Sequence, residues 1–324
     1  MPRPTSPAVH VDRALTNISV ALLQSAENFA AMRTFPRVPV QHKSDEYFVY
    51  NRGDFNRDQA QLRAPGTESA GGGYGLNTQS YTAKVYAVHK DLDDQTVANS
   101  DSVLRPMQDA TQWVTHQMLI RLEKDWANEF FKTGVWGTDV VGGTDFTQWS
   151  DLANSDPIKD VRDGKTTVAE LTGLMPNKMT MDLKTFHTLL DHPDVIDRIK
   201  FGQTAGSPAT ADRNTLAQLF GLDEIVISTG VENTADQGQS DSHSFVLGDN
   251  ALLTFTPDSP GIAQPAAGYM FAWRNLLGGI NDMGFAIKQF RMDELEAERI
   301  EGQGAWDHEV VSAPLGYFFS NTLA

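Results

Sequence analysis

Gly164, Lys165 and Thr166 in "DGKTT" follow the order of the last residues of a phosphate-binding loop, where glycine lets backbone N–H groups approach a phosphate and lysine meets its charge. Such a loop needs another glycine five positions earlier, where this chain has Lys159, and it follows a strand, which "DGKTT" does not. A solvated turn is the reading kept there. Asp54, Asn56 and Asp58 begin like a calcium loop, but Gln59 stands where the sharp turn needs glycine and Pro65 where the bidentate glutamate belongs. His187 and His192 are five apart and do not share a helix face as a metal-binding i, i+4 pair would. No G-x-S-x-G nucleophile elbow occurs, and no carboxylate pair stands out as acid and base. "GGGYG" at 71–75 lacks the dinucleotide spacing and lies between strands, not at the start of a helix. Asn17 in "NIS" is a formal glycosylation sequon, silent without a signal peptide. The expectation is no catalytic residue, no cofactor and no metal.

The bulk properties agree with a chain that does little chemistry. At 324 residues it can bury about two cores. It is 40% hydrophobic and 21% charged, the balance of a soluble globular protein. The first residues lack an apolar signal core, and no apolar run approaches the ~20 residues of a membrane span. The chain has no cysteine, which excludes disulfides, thiolate nucleophiles and thiolate metal sites. A net charge of −16 argues against a surface wrapped in nucleic acid. The first 44 residues differ: Arg3, Arg13, Arg33, Arg37 and Lys43 face only Asp12 and Glu27, so this arm could touch a phosphate or an acidic neighbour, or be a solvated mixed surface.

The elements read as follows. Residues 15–32 suit a helix that ends before "FPRVPV", whose prolines force an extended path. "DEYFVYNRGDF" and "QSYTAKVYAV" read as the arms of a hairpin. Between them lies "RAPGTESAGGGYG", with five glycines and a charged pair, Arg63 and Glu68. That link is far longer than the two to five residues of an ordinary hairpin turn. Leu104, Met107, Thr111, Val114, Met118, Leu122, Trp126 and Phe130, apolar but for the threonine, recur at helical spacing and predict a long helix over 103–131, with Asp101 and Ser102 as caps and Gly134 past its end. Shorter elements follow: helix at 157–174, strand in "PNKMTMD", helix broken by Pro193, helix in "TADRNTLAQLFGL", strand in "DEIVIS", then strands in "FVLGD" and "ALLTFT". No repeated βαβ unit appears, so a Rossmann architecture is not expected. "AGYMFAWR", "GFAIKQF" and "HEVVSAPLGYFF" read as strands, and "DELEAERIE" reads either way.

The order of these features resembles the major capsid proteins of tailed bacteriophages, the HK97-like fold family, along nearly the whole chain. The resemblance rests on the "FPRVPV" segment, the hairpin tipped by "RAPGTES", the single long helix, the α+β stretch from "PNKMTMDLKTFHTLL" to "GDNALLTF", and the closing "VVSAPLGYFFSNTL". It implies an α+β fold with an N-terminal arm (1–45), an extended E-loop hairpin (46–90), a P-domain with spine helix and sheet (91–165), an α+β A-domain (166–257), and C-terminal strands completing both domains (258–324). It implies copies of the same chain as partners, in pentamers and hexamers of an icosahedral shell assembled in the bacterial host's cytoplasm. Double-stranded DNA would lie against the inner face, separate scaffolding, portal or decoration proteins could be present, and no membrane is involved. Arg63, Pro65, Gly66, Glu68 and Tyr74 are the expected inter-subunit contacts, because a flap that lies on differently placed neighbours needs a pliable tip. The tip has no lysine, and Lys84 and Lys90 lie back on the returning arm, so no covalent cross-linking of the shell is expected. The arm is too short for a fused scaffold. A nanocompartment shell of the same fold, or an enzyme built on "GKTT", are the alternatives.

Overall fold

The structure is a computed structural model that describes residues 26–100, 105–202, 212–261, 264–277 and 284–324. Pro36 and Pro39 keep the chain extended into β1 (Arg37–Val40). The chain then forms a hairpin of β2 (Ser44–Tyr50) and β3 (Leu76–Thr82), antiparallel from Ser44↔Thr82 to Tyr50↔Leu76. One helical turn, α1 (Arg52–Phe55), opens the tip. β4 (Lys84–Asp93) runs back into the body and ends where the Asp93 side chain caps α2 (Asp94–Ala98) by accepting from Thr96 N at 2.6 Å.

The predicted long helix is α3 (Pro106–Phe130), with Pro106 in its first turn, where a missing N–H costs nothing. Leu104 and the expected caps Asp101 and Ser102 lie outside the described residues. Val114, Met118, Leu122, Trp126 and Phe130 are buried as the spacing requires, while Met107 and Thr111 are half-buried.

The rest of the chain is β5 (Thr138–Val141), α4 (Pro157–Thr172), β6 (Lys178–Asp182), α5 (Leu183–Leu190), α6 (Pro193–Gly202), α7 (Arg213–Phe220), β7 (Glu224–Ser228), β8 (Val231–Asn233), β9 (His243–Phe245), β10 (Ala251–Thr254), β11 (Gly268–Trp273), β12 (Phe285–Met292), β13 (Ala297–Val310) and β14 (Gly316–Ser320). Two five-stranded sheets organise it. In the first, β13 is the central strand: β4 pairs along one edge, and β12 followed by β11 along the other, with β1 parallel to β11. α3 lies across β13, and a Cβ at Gly302 would stand 2.6 Å from Val114 Cγ1, so glycine sets the close approach. The second sheet runs β5-β14-β10-β6-β7, so the last strand of the chain sits inside it.

Two large cores result. One joins α3 to both sheets through Phe29, Phe35, Trp126, Phe130, Trp306 and Phe318. The other packs α4–α7 on the second sheet around Trp149, Val161, Met179, Leu189 and Leu253.

Several expectations change. In the described part of the 15–32 segment there is only a short 3-10 turn, Ala26–Asn28, followed by turns to residue 35. Gly164-Lys165-Thr166 is not a turn: it lies in the middle of α4, inside the helix expected over 157–174. "FVLGD" is not a strand: β9 ends at Phe245, and Gly248 at φ +63° bends the chain. "DELEAERIE" resolves into a 3-10 turn, Asp293–Leu295, and the start of β13. Boundaries at 45/46, 90/91 and 165/166 fall within β2, β4 and α4.

Candidate interaction site: the hairpin tip and its root

Ala64-Pro65-Gly66-Thr67 form the outermost turn. Thr67 N donates to Ala64 O at 3.2 Å, proline occupies the second position, and Gly66 has φ +78° at the third, the requirement of a type II turn. Arg63 Nε donates to Thr67 O at 2.5 Å and braces this turn from outside. Arg63 and Glu68 do not pair with each other, and both side chains are exposed. Further in, Gly75 N donates to Asp54 Oδ2 at 2.9 Å and Asn51 N donates to Gly75 O at 3.1 Å, which closes the base of the tip.

Tyr74 belongs to a group the sequence did not reveal. Its ring lies 5.1 Å from Phe55 and 5.9 Å from Tyr50, and Tyr50 and Phe55 are 5.7 Å apart. These rings touch one another yet stay exposed, Phe55 at 59% and Tyr74 at 63%. Phe48, Leu62 and Leu76 are exposed beside them. The hairpin therefore holds a concentration of apolar surface that the monomer does not cover.

The root of the hairpin is built differently. Tyr81 stacks on Phe271 at 4.6 Å, and Tyr47 approaches the same ring at 5.2 Å. Asp307 on β13 accepts from Thr82 N at 2.7 Å, which ties the end of β3 to the first sheet. Glu309, two residues on, shares the face of Asp307. Its pKa is raised to about 7, by burial first and then by the charges of Asp307 and Glu129. Between them His308 points into the core, edge-on to Phe130, with neither ring nitrogen bonded. Burial, and then the charge of Lys84, hold its pKa down to about 3, so this histidine stays neutral.

Glu123 is the other functional-looking residue that the sequence reading missed. It is fully buried on α3 and accepts from Ala30 N at 2.9 Å, Ala31 N at 2.7 Å and Ser228 Oγ at 2.8 Å. Burial raises its pKa and these three donors oppose the rise. The carboxylate thus pins the root of the arm to both α3 and β7. A signal existed: position 123 falls on the helix face of Leu119 and Trp126.

Arrangements that look catalytic have structural partners. Ser155 Oγ, His192 Nε2 (2.9 Å) and Asp194 (3.8 Å from Nδ1) have the composition of a hydrolase triad. However, His192 Nδ1 accepts from Asp194 N at 3.3 Å, so Nε2 carries the proton, and Ser155 Oγ donates to Asp151 O at 2.7 Å. That tautomer cannot take a proton from the serine. Lys165 Nζ donates to Phe220 O and Gly221 O at 2.7 and 2.6 Å and caps α7. Asp54 accepts from Gly75 N and Asp58 from Ala60 N, and among the described residues no group of three such side chains is placed to hold a metal. His187 is exposed on α5.

No family model matches the chain. A curated relative, the major capsid protein of Burkholderia phage BcepMu, is 20% identical over 315 residues, 96% of each chain. A phage-related protein of Bordetella bronchiseptica RB50 superposes with a TM-score of 0.65 at 18% identity, covering 91% of this chain and 92% of its own. A chain from the capsid of cyanophage P-SCSP1u gives a TM-score of 0.64 at 12% identity, covering 96% and 92%. This chain has the HK97-like capsid fold. The SrpI encapsulin of Synechococcus elongatus shares that fold, with a TM-score of 0.56 at 12% identity, covering 95% and 93%.

Proposed function

We propose that this chain is the major capsid protein of a tailed bacteriophage, assembling with copies of itself into an icosahedral shell around double-stranded DNA. Its role is structural. The observation that carries the reading is the uncovered aromatic group Tyr50–Phe55–Tyr74 on a projecting hairpin, in a chain that matches a phage major capsid protein over 96% of both lengths. Apolar area of this kind is covered by a partner, at about 25 cal/mol per Å² of surface removed from water. Numerous modest contacts of that strength close a symmetric shell, and no single one has to be strong.

In this reading the hairpin is the E-loop, with Arg63, Pro65, Gly66, Glu68 and Tyr74 meeting an adjacent copy. The first sheet and α3 are the P-domain. The second sheet with α4–α7 is the A-domain around the symmetry axes, where pentamers and hexamers form. Electron microscopy of the concentrated, purified protein tests the proposal. Closed shells are expected, and a monomer at all concentrations with the hairpin folded onto its own body would refute it. Nuclease-protected DNA inside particles recovered from the host supports the phage reading over a nanocompartment, in which protein cargo would be found.

A further inference from the structure

A cavity of about 350 Å³ opens where the root of the arm meets both sheets. Strand alternation builds one wall: Val38 and Val40 turn to the apolar cluster of Tyr81 and Phe271, so Arg37 and Pro39 face the cavity. Ala272 and Arg274 extend that wall, while Arg33 and Lys178 close the opposite side. Four cationic side chains thus converge on one space in a chain of net charge −16. Among the described residues the opposing carboxylates are Asp258 on the lining and Glu224 behind it, and Arg37 has a partner of its own, so the proposal rests on Arg33, Lys178 and Arg274.

Glu224 is divided between two of the cations, 2.6 Å from Arg33 Nη2 and 3.8 Å from Lys178 Nζ. The Lys178 side chain is only 13% exposed, so its charge is weakly screened. Arg274 is exposed and makes no ion pair among the described residues. Three guanidinium groups and an ammonium lining that space can meet different oxygens of a tetrahedral phosphate, which offers more acceptors than the two oxygens of an isolated carboxylate.

We propose that this cavity binds a phosphate group, supplied either by the backbone of a nucleic acid strand or as free inorganic phosphate. Under the proposed function the first source is packaged DNA, and this face at the root of the arm then looks into the shell. The site is distinct from the hairpin contacts and does not depend on assembly.

Unassembled full-length subunits are the material for the test. Fluorescence anisotropy with a labelled 20-base-pair DNA duplex is read against added salt, with inorganic phosphate as competitor and polyglutamate as an acidic control. R274E is expected to weaken duplex binding at least fivefold, and the milder R274Q to lower the slope of log affinity against log salt by about 1. R162E makes the same charge change on the exposed face of α4 and should stay within twofold of the parent. Competition by phosphate with duplex bound assigns the nucleic acid source. Phosphate binding by calorimetry, lost in R274E and with no duplex binding, assigns the free anion. Equal losses in R274E and R162E, polyglutamate binding as tightly as the duplex, or no binding of either phosphate source would overturn the proposal. A chain that binds duplex through Arg274 but forms no shell refutes the proposed function and leaves this inference standing.

Discussion

Replacing Glu309 by glutamine removes a charge from the root of the hairpin, where Asp307, Glu129, Tyr47 and the cation Lys84 face the same space. The folded protein holds the Glu309 pKa at about 7 against an ordinary 4.5. The folded state therefore binds this proton more tightly than the unfolded chain does. Ionised Glu309 opposes folding above pH 7, and the opposition fades as the pH falls toward 4.5. At about 1.4 kcal/mol per pH unit the interval caps the effect near ~3 kcal/mol, and partial exposure of the side chain reduces it to roughly 1–2 kcal/mol.

His308 works in the opposite sense. Its pKa is held near 3 against 6.5, so the unfolded chain takes the proton first and stability is lost as the pH falls below 6.5. In the parent protein the two slopes oppose each other between about pH 4.5 and 6.5. E309Q removes one and lays bare the other. Urea unfolding of the unassembled subunit, followed by tryptophan fluorescence at pH 5, 6.5 and 8, measures this. E309Q should be more stable than the parent by about 1–2 kcal/mol at pH 8, with the gain at least halved at pH 5. A gain that does not vary with pH, or a loss at pH 8, refutes the reasoning.

Other consequences can be checked separately. Arg63→Glu should sharply reduce particle yield while circular dichroism of the subunit is unchanged, because Arg63 bonds only within the exposed tip; normal yield rejects its role in assembly. Glu123→Ala leaves Ala30 N, Ala31 N and Ser228 Oγ without their acceptor in the core, and should lower subunit stability by about 3–5 kcal/mol in urea titration. With no lysine in the tip, particles boiled in denaturant should run as monomers on a gel, and a ladder of cross-linked rings would contradict that.

What could be read from the sequence was what local periodicity controls. α3 follows from spacing alone, within a few residues at each end, and β6, β7 and α7 fall where "PNKMTMD", "DEIVIS" and "TADRNTLAQLFGL" read as strand, strand and helix. The misreadings share a cause: distant residues decide them. Glutamate and alanine in "DELEAERIE" favour helix, but Ala297 and Ile300 are buried in a strand held on both edges, by β4 and β12, and tertiary pairing overrides propensity. The turn after Asn28 replaces a helix because Glu123, 92 residues away from Ala31, takes the N–H groups there. Tyr74 is among the expected contacts, but its partners Tyr50 and Phe55 lie across the tip, and their contact depends on hairpin register, which side-chain alternation specifies weakly where little of either arm beyond Tyr47, Val49 and Tyr81 is buried.

That register leads to a division of labour within the chain. β14, the last strand, lies between β5 and β10, so the second sheet is complete only when the whole chain has been made. β13 is likewise paired on both edges before any partner arrives. The margins of the two sheets are β1, β4 and β12 in the first and β5 and β7 in the second, each with one partner strand among the described residues. β2 and β3 pair only with each other, and each leaves an outer edge unpaired beside exposed Phe48 and Leu76. Under the proposed function this hairpin, whose tip lies outside both large cores, is the surface that meets a neighbouring copy. At that tip the Gly66 φ of +78° is required by the turn, yet a Cβ there would touch nothing within 4 Å. Glycine at this position serves backbone conformation alone, and an alanine at 66 should strain the turn and alter assembly before it alters the stability of the body.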